Sequence, residues 1–184
     1  MGRRHAGRGF VLGVSLLALL GAGCTPATTT PPPATSTSAT PTESAQEREE
    51  RVAYEAAEKS YRDFRADYRR VLNDGGARDA TKVMKATAGG SYLAEATEVL
   101  QAYRGLSNHS TGTGSVVYVR GQGYSTDSLV LEACEDTRAV KIFNKSGKVI
   151  GRGEQRLAEI EVRQQGGAWK LWSGRGRKVD SCDE

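Results

Sequence analysis

The side chains of this 184-residue chain best suited to chemistry are few: three cysteines, two histidines and some acids set in or near apolar runs. Cys24 closes a fourteen-residue apolar run, residues 10–23, which follows Arg3, Arg4 and Arg8 and no acid. A basic start, a short apolar run and a small-residue stop read as a secretory signal peptide. The run is too short to be a transmembrane helix, which needs about 20 apolar residues. Ala22-Gly23 would let a peptidase reach the backbone, and a cut there leaves the Cys24 thiol at a new N-terminus. Cys134 and Cys182 remain as an even pair in an exported chain, where disulfides persist, and they are expected to bond to each other. His5 and His109 offer no zinc-ligand spacing. Gly121-Gln122-Gly123 lacks the third glycine and the following helix of a nucleotide loop. No metal, cofactor or catalytic constellation is therefore expected.

Within the folded part, Glu132 stands mid-strand in the run Ser-Leu-Val-Leu-Glu-Ala-Cys, residues 128–134, and is the acid expected to point inward. Tyr54, Tyr61, Phe64 and Tyr68 share one helical face and are expected to be core, with the lining of a cavity as the alternative. Asp63 and Asp67 lie beside that stripe, not in it. His109 falls in a polar segment and reads as a solvated loop residue.

The elements that must position these residues follow from the pattern. Residues 24–46 are rich in Thr, Pro, Ala and Ser, with no aromatic or large aliphatic residue, and cannot bury enough surface to order themselves. They read as a stalk that extends at ~3.1 Å per residue. Residues 47–184 form the domain. Tyr54, Ala57, Tyr61, Phe64, Tyr68 and Val71 step by three and four, which predicts a helix over residues 47–73, stopped by Asn73-Asp74-Gly75-Gly76. Shorter helices are expected over residues 79–87 and 92–104, the second capped by Ser91, followed by a polar loop over residues 108–114. From Ser115 the period changes to that of strands: residues 115–120, 128–134, 139–143, 156–163 and 168–173, with hairpin turns at residues 144–147 and 164–167. Helices first and antiparallel strands after predict an α+β fold with helices on one face of a curved sheet.

Charge excludes one class. The chain holds 26 basic and 22 acidic residues, a formal +4. Losing Arg3, Arg4 and Arg8 with the signal leaves 23 against 22, near neutrality, so no nucleic-acid partner is expected. Only Arg175-Gly176-Arg177-Lys178 is locally basic, and it reads as a solvated chain end.

Two resemblances add to this. Gly21-Ala22-Gly23-Cys24 resembles the lipobox of bacterial lipoproteins, with Gly21 where Leu is commonest. It implies a signal peptide over residues 1–23, a diacylglyceryl (palmitate-bearing) anchor on Cys24 and a place on the extracytoplasmic face of a cell membrane, where two acyl chains hold stably. The order of elements resembles the NTF2-like (SnoaL-like, cystatin-like cone) superfamily: one long helix, two shorter ones and a bent antiparallel sheet. Cys134-Glu135-Asp136 as a turn, Gly147-Lys148, the alternation over residues 157–162, Gly167-Ala168-Trp169-Lys170-Leu171 and Cys182 are similar to exported NTF2-like lipoproteins of high-GC Gram-positive bacteria. That resemblance implies a non-catalytic module of the cell envelope that docks another envelope protein. Its alternatives are a binder of a small apolar ligand in the cone, or a SnoaL-like isomerase or hydratase with Glu132 as its acid.

Overall fold

The computed structural model describes residues 43–182. The expected signal segment, Cys24 and all but the end of the stalk lie outside the described residues. The first helix, α1 (Ala45–Asn73), begins two residues earlier than its apolar stripe predicts. Ser44 supplies the reason. Its hydroxyl accepts the Glu47 N–H at 3.2 Å while the Glu47 carboxylate accepts the Ser44 N–H at 2.7 Å. This reciprocal cap satisfies two orphan donors and draws the last stalk residues into the helix. Ala53, Ala57, Tyr61, Phe64 and Val71 form its buried face. The helix stops at a turn in which the Gly76 N–H donates back to the Val71 carbonyl. Gly76 has φ +81°, and a Cβ there would lie 2.3 Å from the Leu100 carbonyl oxygen, so this close approach requires glycine.

Two shorter helices follow, α2 (Lys82–Thr87) and α3 (Gly90–Leu106). Thr81 caps α2 by accepting the Met84 N–H. Ser91, expected to cap α3, lies inside it. The helix starts at Gly90, two residues earlier than expected, where Gly89 and Gly90 pack against Trp172 and a Cβ on Gly90 would come within 2.6 Å of the Trp172 carbonyl oxygen.

The strands form two antiparallel sheets. The larger has the order β2 (Ser115–Tyr124), β3 (Ser128–Asp136), β6 (Gln155–Gln165) and β7 (Ala168–Lys178). The smaller has the order β1 (His109–Thr111), β4 (Lys141–Phe143) and β5 (Val149–Arg152). The fold is thus α+β, with helices packed on one face of a curved antiparallel sheet. Three local readings change. The expected polar loop contains β1, because His109 and Thr111 pair with β4. Cys134-Glu135-Asp136 is not a turn but the end of β3, paired through to Gln155 of β6. Residues 175–178 are not a free chain end: they pair with β6, and Arg175 donates to Glu159 at 2.7 Å.

Along β3, Leu129, Leu131, Ala133 and Glu135 alternate toward the helices, and Val130, Glu132 and Cys134 point away. Ile160 and Val162 of β6 and Trp169 and Leu171 of β7 complete the core. The β6–β7 register slips once, so Trp172 is an extra residue between Leu171 and Ser173. It is half-buried under Gly89-Gly90, while Trp169 is core. On the outward face Cys182 is bonded to Cys134, with Cα atoms 5.8 Å apart and a sequence separation of 48.

A loop of that length, if opened, returns up to about 4 kcal/mol of chain entropy to the unfolded state. Replacing both Cys134 and Cys182 by Ser is therefore expected to lower the denaturant-unfolding free energy by about 2–4 kcal/mol. An unchanged midpoint would show that the bridge contributes nothing to stability.

Candidate functional site

Tyr61, Phe64, Arg65 and Tyr68 stand at i, i+3, i+4 and i+7 on α1, one face of a helix turned toward the sheet. Opposite them, the alternation of β3 puts Glu135 on the same inward side as its three apolar predecessors. Glu135 is the one buried carboxylate among the described residues. Arg65 meets it as a two-pronged fork, Nε to Oε1 at 2.6 Å and Nη2 to Oε2 at 2.5 Å, and the Tyr61 hydroxyl donates to Oε1 at 2.9 Å. The Arg65 side chain is 20% exposed and that of Glu135 6%. Paired geometry of this kind is what lets two charges leave water together.

Aromatic rings continue the site. Phe64 stacks on Tyr68 at 5.9 Å and meets the edge of Tyr92 from α3 at 5.1 Å. The Arg65 guanidinium lies 5.3 Å over the Tyr68 ring. Between this wall and the sheet is a pocket of about 260 Å³. Ala96 and Val99 of α3 close one side, and Ala158 and Ile160 of β6 form the floor. The extra residue Trp172 gives the floor its depth. By taking no partner on β6 it shifts the later residues of β7, so that Gly174 lies across from inward-facing Ile160 and Gly176 across from Ala158. Two positions without side chains thus face the aromatic wall. Arg156 and Arg175 stand at the rim with Glu95.

Burial and the Glu135 charge raise the Tyr61 hydroxyl far above the ordinary tyrosine range. Tyr68 and Tyr92 are each pushed up to about 12, chiefly by burial and against the opposing pull of Arg65. For Arg65, burial alone would lower its pKa, but the Glu135 charge outweighs that and holds it above its usual value. One turn further on, Arg69 is lowered by burial and by its neighbour Arg65. Its Nη1 is buried without a hydrogen-bond partner.

The expected lining residues divide. Tyr61, Phe64 and Tyr68 meet in the pocket. Tyr54 does not: it packs over Gly121, where a Cβ would lie 2.2 Å from its ring, and beside Tyr124 at 6.3 Å. Glu132 does not point inward. It lies on the opposite face of β3, where it accepts from Arg120 Nε at 2.8 Å and the Tyr118 hydroxyl at 3.3 Å. The inward acid is Glu135, three residues on. The parity of Leu129, Leu131 and Ala133 was the signal for it, masked by reading Glu135-Asp136 as a turn. Arg65 carried a weaker signal, one step from Phe64 on the buried face. His109 is not a loop residue but stacks on Phe143 at 5.3 Å. Asp63 is held by Lys59, and Asp67 by Arg70 and Thr81.

A wider hollow of about 620 Å³ lies on the outward face. Its carboxylates are occupied: Glu161 by Arg163 and Ser173, and Glu159 by Arg175. No group of three metal-ligating side chains occurs among the described residues. In the aromatic pocket, three donors already fill three of the roughly four acceptor sites of Glu135. To take a proton from a substrate, this carboxylate would have to break a charge-assisted pair. The arrangement suits holding a flat apolar body, with Arg156 at the rim for an acceptor group.

No protein-family model matches the chain, and no curated protein matches it. Several solved structures are similar. The intermembrane-space region of the chloroplast protein ARC6 shares 10% identity over 66% of this chain and 96% of its own, with a TM-score of 0.48. An NTF2-like family protein from Streptomyces avermitilis shares 15% identity over 72% and 99%, with a TM-score of 0.44. An NTF2-like protein with a cystatin-like fold from Novosphingobium aromaticivorans shares 12% over 75% and 92%, with a TM-score of 0.42. None of these likenesses reaches a TM-score of 0.5, so the site stands on its own geometry.

The buried hydroxyls set an alkaline limit. A tyrosine whose pKa is raised on folding stabilises the fold below its unfolded pKa of about 10 and loses that contribution as pH rises toward the folded value. Stability is therefore expected to fall between pH 10 and about 12 as Tyr68 and Tyr92 are forced to ionise. Thermal melts across that range, with tyrosinate absorbance followed in parallel, check this. A melting temperature flat through pH 12 contradicts it.

Proposed function

We propose that this protein is an extracytoplasmic lipoprotein whose domain binds rather than catalyses, taking a small apolar ligand, ring-shaped or flat, into the pocket between α1, α3 and the sheet. One observation carries the reading. The acid inside the domain is engaged by Arg65 and Tyr61, while aromatic rings and two glycines leave about 260 Å³ beside it. That volume is near the lower end of small-molecule sites. Docking of another envelope protein ranks second, because the large exposed apolar side chains are spread over α1, α2, α3, β2 and β5. Isomerase or hydratase chemistry ranks last: Glu132 faces outward and Glu135 is committed to its pair.

The anchor is a separate part of the proposal. The basic start, the apolar run and the small residues before Cys24 support cleavage there and a diacylglyceryl group on its thiol, which would hold the domain to the outer face of a membrane.

Both parts have direct tests. Gly176 has ordinary strand geometry, and a Cβ there would meet Arg156 at 3.5 Å, so a side chain can be accommodated. Gly176→Leu should fill the floor, leave the melting temperature within a few degrees of the parent, and abolish binding of the fluorescent probe anilinonaphthalene sulfonate. Equal binding by parent and variant, or none by the parent, removes the pocket as the site. Mass spectrometry of the membrane fraction should find a chain starting at Cys24 with added acyl mass, and an unmodified chain starting elsewhere refutes the anchor.

A further inference from the structure

The hairpin of β4 and β5 has a one-sided charge. Residues 141–153 contain Lys141, Lys145, Lys148 and Arg152 and no acid. All four cations are exposed. Several arginines elsewhere in the chain are matched: Arg51, Arg62, Arg70, Arg138, Arg163 and Arg175 each meet a carboxylate within 2.9 Å. The acids that flank the hairpin in sequence are engaged elsewhere, Asp136 by Arg138 and Glu154 by Arg156. None of the four hairpin cations has an ion-pair partner among the described residues.

The pairing gathers these groups on one face. Lys141 pairs with Arg152 and Phe143 with Val149, while His109 pairs with Phe143 from the other side. These five residues therefore share one side of the small sheet. The other side is the one turned to α1, since Ser110 is buried there and donates to Asn73 at 2.6 Å. The outward face thus presents the His109–Phe143 stack and Val149, 39% exposed, in the row next to the Lys141–Arg152 pair. Ile150, 52% exposed, is the extra residue of a bulge beside them. Lys145 and Lys148 stand at the tip, in and just after the turn.

We propose that this face docks the domain onto an anionic lipid surface. The four cations would meet headgroup phosphates while Val149 and Ile150 enter the headgroup layer beside the aromatic stack. Cations near such a surface are attracted one by one, with a contribution that salt screens. Amphipathic elements with basic flanks and a small apolar patch lie in the interface in this way. The length of chain outside the described residues allows it. α1 runs about 43 Å from its start beside Glu43 to the end that packs on β1. The residues between Cys24 and Glu43 span up to ~60 Å when extended. A chain held at Cys24 can therefore lay the far end of α1, and the small sheet with it, back on the same membrane. The proposal is independent of the pocket and rests on the anchor proposed at Cys24, which the mass of the membrane-bound chain tests separately.

The test reads depth at the hairpin itself. Ser146→Cys places a single free thiol at the exposed tip for a fluorophore, since Cys134 and Cys182 are bonded to each other and the Cys24 thiol is the one that would carry the proposed anchor. The chain as purified from its membrane is reconstituted in vesicles with nitroxide-bearing lipid, with and without phosphatidylglycerol. Quenching is expected in the phosphatidylglycerol vesicles and not in neutral ones, and is expected to be lost at high salt. Changing Lys141, Lys145, Lys148 and Arg152 to Gln should abolish most of it without altering the circular dichroism. Dropping Val149 and Ile150 to Ser should reduce the depth while retaining surface contact. Quenching that is absent, equal in neutral vesicles, or unchanged in the four-Gln variant overturns the proposal. Absence of quenching together with tight binding of free polyphosphate would assign the face to an anionic polymer instead.

Discussion

The contact on which the rest of this domain depends is the fork of Arg65 on Glu135. Moving a carboxylate and a guanidinium out of water costs several kcal/mol for each ion, and the pair repays this only when its geometry is good and its remaining hydrogen-bonding capacity is met. Here two arginine donors and the Tyr61 hydroxyl converge on one carboxylate. An apolar contact between α1 and β3 would tolerate a small roll of the helix, because burial is non-directional. The fork does not. It fixes the rotation of α1 about its axis, and with it the directions of Phe64 and Tyr68. The aromatic wall is therefore placed by an electrostatic constraint, while the apolar stripe of α1 supplies the burial that binds helix to sheet.

The same division of labour appears on the sheet. Val162 and Leu171 pack in regular register, and then the register slips at Trp172. A regular strand would have kept Ser173 and Arg175 on the inward side. The slip sends them outward, where each meets a glutamate, and turns two glycines inward. Space in this domain comes from a shift of one residue in pairing, not from small side chains on a regular lattice.

Much of the architecture was legible in the sequence, and the reasons for the misses are local. The steps of three and four from Tyr54 to Val71 identified α1, because the core selects that face. The alternation of Ala158, Ile160 and Val162 identified β6 in the same way. What could not be read was set by partners distant in sequence. Glu135-Asp136 has turn-like composition, and only pairing with Gln155 and Arg156 keeps it in β3. β5 has four residues, too few for a period to show. Ser44 and Glu47 form a recognisable capping pair, but a Ser/Thr-rich stretch hides one more serine. Glu132 and Glu135 show the limit most clearly: both lie in one strand, and a shift of three positions decides which acid meets the helix and which meets water.

The bond between Cys134 and Cys182 has a consequence for the edge of the larger sheet. β7 is an edge strand, with one side of its backbone left without a neighbouring strand of its sheet, and such a strand frays readily. Fraying that ran back along β7 from its C-terminal side would meet a covalent staple to the interior strand β3 at Cys182, before reaching Gly174 and Gly176 of the pocket floor. The C-terminal side of an exposed edge is thus converted into a blunt stop, and the strand is protected from being unravelled from that side.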